Sequence, residues 1–479
     1  MTTAIILLIV VLGSVVFNYL SPWWFTEIAS NWGNIDFAVF VTFWICGIAF
    51  ILVGLFMVWA IWKYRRREGQ QAAYEPENKR LEWILTIVTT IGVVGMLAPG
   101  LIVWEEYVHV PDDAREVEII GQQWSWSYRL PGEDGRLGLV DVRFMSVDNP
   151  FGMDPDDPYG ADDVLVERGA LHLLKDQPVK VLLRSKDVLH DFYVPEFRAK
   201  MDAVPGMVTY MWFTPTKTGI YEVLCAELCG IGHHTMRGTV IVDEAEEYEA
   251  WVASRPTWSD YAARPAGDAV AGQAGYVVCA ACHGQQGEGM FALHAPKLTG
   301  QSAWYMRAQI DAYKRGLRGT HPEDEYGQQM APMAATLFDA AAVENVIAYI
   351  QSLPDEPAVA TIEGDVERGA DLYRGCAVCH RADGSGSSGT FAPRLAGMSD
   401  WYLARQIVLF QQHIRGHDRT DTLARQMTFM SKQLHGQDAI NDVVAYINEL
   451  GRQGRFASNA SGTRDGLAAV THADAPGAE

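Results

Sequence analysis

No lysine or arginine occurs before Lys63, although the chain opens on a long apolar stretch. A secretory signal normally begins with a basic region, and no clear small-x-small cleavage site follows this stretch, so Ala4 to Leu20 reads better as a membrane helix than as a cleaved signal. Charge is absent from Phe37 to Trp62 and from Trp83 to Val103 as well, and both runs are long enough to cross a bilayer. Cysteine is scarce, with seven residues in 479. Four of them form two C-x-x-C-H pentapeptides, Cys225 and Cys229 stand together in one loop, and Cys46 falls inside an apolar run. No pair is left over for structural disulfides. Bases are outnumbered, 38 against 59 acids, which argues against a nucleic-acid partner.

The few bases that occur early are clustered. Lys63, Arg65, Arg66, Arg67, Lys79 and Arg80 lie between the second and third runs against Glu68, Glu75 and Glu77, so the positive-inside rule puts that loop in the cytoplasm. Everything after about Glu105 then lies outside. Residues 1–106 form the anchor, with helices at about 4–20, 37–62 and 83–103, and Trp23, Trp24 and Trp32 are expected at the outer interface. The external part is more acidic than the whole, which suits basic electron carriers at low salt. One acidic run, Asp154 to Asp163, reads as a surface loop.

The segment from Cys225 to Met236 reads Cys-Ala-Glu-Leu-Cys-Gly-Ile-Gly-His-His-Thr-Met, and His190 stands upstream. Thiolate, thioether and imidazole donors favour copper or zinc over calcium and magnesium. Gly219–Leu224 and Arg237–Val242 read as strands on either side, Val179–Leu183 is a further apolar run, and Gly230 and Gly232 let the loop turn. A rigid sandwich over residues 107–254 would thus present five donors on two loops. A Cys225–Cys229 disulfide and a mononuclear zinc site are the plainer readings, and Met236 weighs against both.

Cys-x3-Cys-x3-His-x2-Met with an upstream His resembles the binuclear CuA centre of cytochrome c oxidase subunit II. Lys200–Gly206 and Gly121–Tyr128 look like that family too. The resemblance covers roughly Phe37 to Ser254 and implies a cupredoxin sandwich. It implies that Cys225 and Cys229 bridge two coppers, that His190 and His233 bind one each, and that Met236 and the Glu227 carbonyl complete the set. His234 adjoins His233, and the family spacing favours His233. The resemblance also makes Trp124 the place where electrons enter, Glu82 a carboxylate at the mouth of a proton path, and Glu227 a side chain that reaches magnesium at a subunit interface. Leu85 and Thr89 depart from it, standing where the family often has Trp and Pro. The plainer readings are a core tryptophan for Trp124 and a helix-start carboxylate for Glu82.

The C-terminal half is a duplication. Cys279-Ala-Ala-Cys282-His283 and Cys376-Ala-Val-Cys379-His380 are haem-attachment motifs, in which two thiols form thioethers and the histidine binds iron. Ala295-Pro-Lys-Leu298, Trp304-Tyr305 and Ala348-Tyr-Ile350 all recur 97 residues later. Two all-α domains of the class I cytochrome c kind are expected at 266–354 and 362–452, with a disordered tail over 456–479. Methionine opposite histidine gives a closed, low-spin iron suited to electron transfer. The candidates are Met330 or Met333, and Met427 or Met430. The repeat does not choose between them, and resemblance to dihaem class I cytochromes favours Met330 and Met427.

The whole therefore reads as a multidomain chain of membrane helices, an all-β copper domain and two haem domains, a redox relay with no catalytic residue of its own. It resembles the caa-type oxidases, with two haem domains where one is more common. That resemblance implies a bacterial inner-membrane, multi-pass protein with its copper and haem domains on the periplasmic side. Its partners would be subunit I and the other oxidase subunits, with a cytochrome c or a quinol-oxidising complex as donor, and oxygen would be reduced with proton pumping. The alternatives are the CuA subunit of a nitric oxide reductase and a membrane-anchored electron carrier.

Overall fold

In the computed structural model, residues 2–21, 26–71, 76–167 and 169–453 are described. The expected tail at 456–479 and the expected interfacial Trp23 and Trp24 lie outside them. The three apolar runs become helices α1 (Thr2–Leu20), α2 (Gly33–Lys63) and α3 (Lys79–Val108), each long and apolar enough to cross a membrane. A rise of about 1.5 Å per residue makes α3 roughly 45 Å long, against a hydrocarbon core of about 30 Å. Its ends therefore extend past the apolar slab. Asn78 caps one end by accepting from the Leu81 amide, and the other end reaches the β-domain.

Trp32 is not at a lipid interface as expected. It is 1 % exposed, its indole donates to the Trp212 carbonyl at 2.9 Å, and its ring packs on Tyr107 and Trp212. A buried indole needs an acceptor for its N–H, and here the Trp212 carbonyl supplies it. The tryptophan thus joins the start of α2 and the end of α3 to the sandwich.

Among the described residues that sandwich holds ten strands. They are β1 (Arg115–Gln122), β2 (Ser125–Leu130), β3 (Val164–Val166), β4 (Leu171–Leu174), β5 (Val179–Ser185), β6 (His190–Val194), β7 (Ala199–Ala203), β8 (Thr209–Phe213), β9 (Gly219–Cys225) and β10 (Arg237–Asp243). One sheet runs β3-β2-β1-β5-β8 and the other β4-β10-β9-β6-β7. The alternation of Val179, Val181 and Leu183 with half-buried neighbours turns one face of β5 into the core, where it meets Phe192, Val223 and Val240.

The acidic run between β2 and β3 is only partly a surface loop. Asp163 is fully buried, because Arg129 reaches it at 2.5 Å while also binding Glu118 at 2.7 Å and the Gly138 carbonyl. Arg184 binds the other Glu118 oxygen at 2.5 Å. A buried carboxylate persists only with such partners.

Two short helices, α4 (Ala245–Ala253) and α5 (Trp258–Ala262), lead out of the sandwich. The first haem-type unit contains α6 (Ala269–His283), α7 (Ala303–Lys314), α8 (Glu325–Ala335) and α9 (Ala340–Ser352). The second contains α10 (Val366–His380), α11 (Asp400–Gln411), α12 (Thr422–Ser431) and α13 (Gly436–Arg452). Asp268 and Asp365, 97 residues apart, cap the first helix of each unit. First and last helices cross on glycine: a Cβ on Gly272 would lie 1.9 Å from the Asn345 carbonyl oxygen, and one on Gly369 2.1 Å from that of Asp442. Gly369→Ala should therefore push α10 off α13 and destabilise the second unit by about 1–3 kcal/mol, measured by thermal unfolding of the full chain in detergent. An unchanged transition would show that the crossing can relax.

Candidate metal centre and haem pockets

The loop after β9 folds back through a 3-10 turn at His233–Thr235 before β10, bringing its sulfurs together. Cys225 Sγ and Cys229 Sγ are 3.6 Å apart. His190 Nδ1, at the start of β6, lies 4.0 Å from Cys225 Sγ, and His233 Nδ1 lies 3.5 Å from Cys229 Sγ. Met236 Sδ is 3.7 Å from Cys229 Sγ, and the Glu227 carbonyl oxygen 3.2 Å from Cys225 Sγ. Six predicted donors thus converge on one spot, with His190, Cys225, Cys229 and Met236 all buried. His234 is exposed.

The surroundings suit soft, positively charged ions. A hydrogen bond from Cys229, helped by His190, draws the Cys225 thiol strongly toward its thiolate form. Burial alone would depress the His190 imidazole, yet Asp187 and Cys225 outweigh it and raise it above the ordinary histidine range, so a metal ion bound there must displace a proton. Asp187 Oδ1 stands 2.8 Å from His190 Nε2, which leaves Nδ1 free to face the sulfurs. Sequence reasoning missed Asp187. Its place three residues before a candidate ligand was the available signal. Gln123 Nε2 and Trp124 Nε1 both donate to the Cys229 carbonyl, at 2.8 and 3.1 Å, and fix the loop from below.

Each haem-type unit holds its histidine in the same way. His283 Nδ1 is 2.7 Å from the Pro296 carbonyl oxygen and His380 Nδ1 2.8 Å from that of Pro393. With Nδ1 so occupied, Nε2 is the atom left for iron, and burial keeps both rings neutral. The Pro-Lys and Pro-Arg loops thus orient the ring as well as cover it. A cavity of about 1110 Å³ is lined by Cys376, Cys379, His380, Met427 and Met430, with Arg255, Arg315 and Arg415 also on its walls. Such a space fits a flat apolar macrocycle bearing carboxylates. Met427 and Met430 both line the cavity. In the first unit Met330 is half-buried and Met333 is 38 % exposed.

The two units face each other across a local two-fold axis. Arg318 donates to Tyr402 and Gln406, while Arg415, its repeat equivalent, donates to Tyr305 and Gln309. Asp355, in the segment joining the units, bonds Lys297 at 2.6 Å and Arg394 at 2.5 Å, again a repeat-related pair. Burial favours its neutral form, but the two cations outweigh that and hold its carboxyl below the usual range.

The second unit also docks on the metal loop. Gln426 on α12 donates to the Trp124 carbonyl at 3.2 Å and to Thr235 Oγ1 at 3.3 Å. Gln122 donates to the Gly389 carbonyl at 2.7 Å, Thr239 to the Arg419 carbonyl at 2.8 Å, and Arg425 reaches Glu222. Cys379 packs against the core of the sandwich. Trp124 is accordingly buried, 5 % exposed, and not open to a diffusing partner. Glu82 sits exposed in the first turn of α3, far along the chain from these centres.

Residues 116–244 match the family described as cytochrome C oxidase subunit II, periplasmic domain, and residues 269–354 and 366–451 each match cytochrome c. The alternative cytochrome c oxidase subunit 2 of Bradyrhizobium diazoefficiens is 58% identical over 266 residues, 56% of this chain and 96% of that protein. Cytochrome c oxidase subunit 2 of Cereibacter sphaeroides is 30% identical over 42% of this chain and 69% of its own length. Reduced recombinant cytochrome c4 from Pseudomonas stutzeri aligns with 38% of the chain and 98% of its own, at 28% identity and a TM-score of 0.31.

Proposed function

The chain belongs to the cytochrome c oxidase subunit II family, and from that premise we propose that it takes electrons from a donor outside the membrane, passes them inward, and delivers them to the oxygen-reducing subunit I. The subunit II domain implies a CuA centre and the cytochrome c domains imply haem c. When bound, these groups accept and release one electron at a time with little change of geometry.

In this reading a copper pair would be held by Cys225 and Cys229 as thiolate donors and by His190 and His233 as imidazole donors, with Met236 and the Glu227 carbonyl as the weaker donors. The observation that carries it is the convergence of two sulfurs 3.6 Å apart with an imidazole Nδ1 beside each. Asp187 orients His190, and Gln123 with Trp124 keeps the loop from shifting when charge changes. Cys279 with Cys282, and Cys376 with Cys379, would attach one haem each. His283 and His380 would bind its iron through Nε2, with Met330 and Met427 as the further ligands. Trp124 lies between the second haem unit and the metal loop, so it serves as an inner bridge. Glu82 on the cytoplasmic side is the proposed carboxylate of a proton path, and the Glu227 side chain the proposed contact to magnesium.

The protein is proposed to sit in the bacterial inner membrane by α1, α2 and α3, with the basic α2–α3 loop in the cytoplasm. Electrons are proposed to come from a cytochrome c or a quinol-oxidising complex. The purified complex should contain two covalent haems and two coppers per chain, show a mixed-valence copper EPR signal, and consume oxygen. Zinc in place of copper, a single covalent haem, or consumption of nitric oxide without oxygen would overturn the reading.

A further inference from the structure

The duplication supplies an internal control. In the second unit, Cys379, Gly389, Arg419, Arg425, Gln426 and Phe429 meet the sandwich, the last by lying under Arg237. Their equivalents 97 residues earlier are Cys282, Ala292, Pro322, Gln328, Gln329 and Pro332, and every one of these is exposed. The same face of the fold therefore occurs twice, once covered by the metal domain and once open.

The open copy differs in composition from the covered one. Met290, Phe291 and Leu293 are 38 %, 60 % and 46 % exposed, whereas the matching positions are Ser387, Ser388 and Thr390. Charge is inverted too. On the second unit Arg381, Arg419 and Arg425 take the places of Gly284, Pro322 and Gln328, and Arg425 meets the acidic Glu222 of the sandwich. Residues 266–296 and 319–352 of the first unit contain no lysine or arginine at all. Glu288, Glu323 and Glu325 are exposed there, and none of them forms an ion pair among the described residues.

We propose that this open face of the first haem unit, centred on Cys282 with Met290, Phe291 and Leu293 beside it and Glu323 and Glu325 at its rim, docks a small basic one-electron carrier protein. An apolar centre ringed by one sign of charge gives orientation at the centre and steering at the rim. The carrier approaches the first unit as the sandwich approaches the second, so electrons enter at residues 266–354 and the second unit is the inner station. The carrier loses one electron, the first unit gains it, and no bond is made or broken. This rests on the relay reading above.

The test uses the full complex in detergent, with a small, basic, soluble cytochrome c as the probe. Glu323→Lys together with Glu325→Lys should weaken binding of the probe at low salt about tenfold in a biosensor titration, and make the salt dependence shallower. Leu293→Asp should weaken it at high salt as well. Oxygen uptake driven by a small uncharged reductant should stay normal in all variants, and its loss in the unaltered complex would instead sink the relay reading. The same double change at Glu363 and Glu367, both exposed on the second unit, should leave probe binding unchanged. Equal binding by all variants overturns the proposal. So does a second copy of the chain held on this face, seen as a concentration-dependent dimer in ultracentrifugation that Leu293→Asp dissolves.

Discussion

Serine at Cys229 is expected to leave a folded protein that has lost its paired copper: metal content falls from two per chain to one or none, and the mixed-valence EPR signal disappears. Cys229 Sγ is the hub of the donor set, 3.6 Å from Cys225 Sγ, 3.5 Å from His233 Nδ1 and 3.7 Å from Met236 Sδ. A serine hydroxyl is hard, barely ionised at neutral pH, and a poor bridge between two soft ions. Oxygen consumption with a physiological donor should drop to background, while both covalent haems remain. Glu227→Ala supplies the contrast, since its donor is the main-chain carbonyl and copper content should be nearly normal. His234→Ala should do nothing to copper, because that side chain is exposed and His233 is the histidine beside Cys229. A Cys229→Ser protein retaining two coppers and its EPR signal would show that the second sulfur is not a ligand.

The second large effect concerns stability. Arg129→Ala removes the only cation that meets both Glu118 and Asp163 among the described residues, and these carboxylates are 3 % and 0 % exposed. Breaking a buried pair from one side costs about 3–5 kcal/mol, because the remaining charge stays desolvated. Arg184 still meets Glu118, so Asp163 is the group left without a charged partner. The loop between β2 and β3 should then detach. That loop contributes Met145, Val147 and Pro150 to the cavity beside Cys376 and His380, so the haem environment should change along with stability. Thermal unfolding of the full chain in detergent, followed by the haem absorbance, tests both points. Adding Asp163→Leu to Arg129→Leu should recover part of the loss. If the single change costs under about 1 kcal/mol, the network is not what holds the loop.

Much of the fold was legible because its signals are local. The apolar run Val179–Leu183, the apolar runs of α2 and α3, and each C-x-x-C-H motif lie within one window of sequence, and the 97-residue offset needs only the chain compared with itself. The candidate metal site was legible for a related reason, since five of its six proposed donors fall between Cys225 and Met236. His190 was harder, being held to them only by the pairing of β6 with β9. What stayed hidden depends on long-range packing. Nothing around Trp32 indicates that its indole will find the Trp212 carbonyl 180 residues away. Likewise, Gln426 gives no sign that it will close over Trp124. The run Asp154–Asp163 looks uniformly solvated, and only the position of Arg129 on β2 shows which member is drawn inside. The choice between Met427 and Met430 stays with the proposal, because both reach the same cavity.

The contact between α12 and the loop of Cys229 has a kinetic meaning. Both partners are one polypeptide, so dilution cannot part them, and the local concentration of one at the other is fixed by the connecting segments, on the order of millimolar for short tethers. In the proposed relay, delivery to the metal loop is thereby relieved of any search. However scarce the proposed external carrier becomes, only the outermost collision would obey mass action, and a competitor would slow the chain only there.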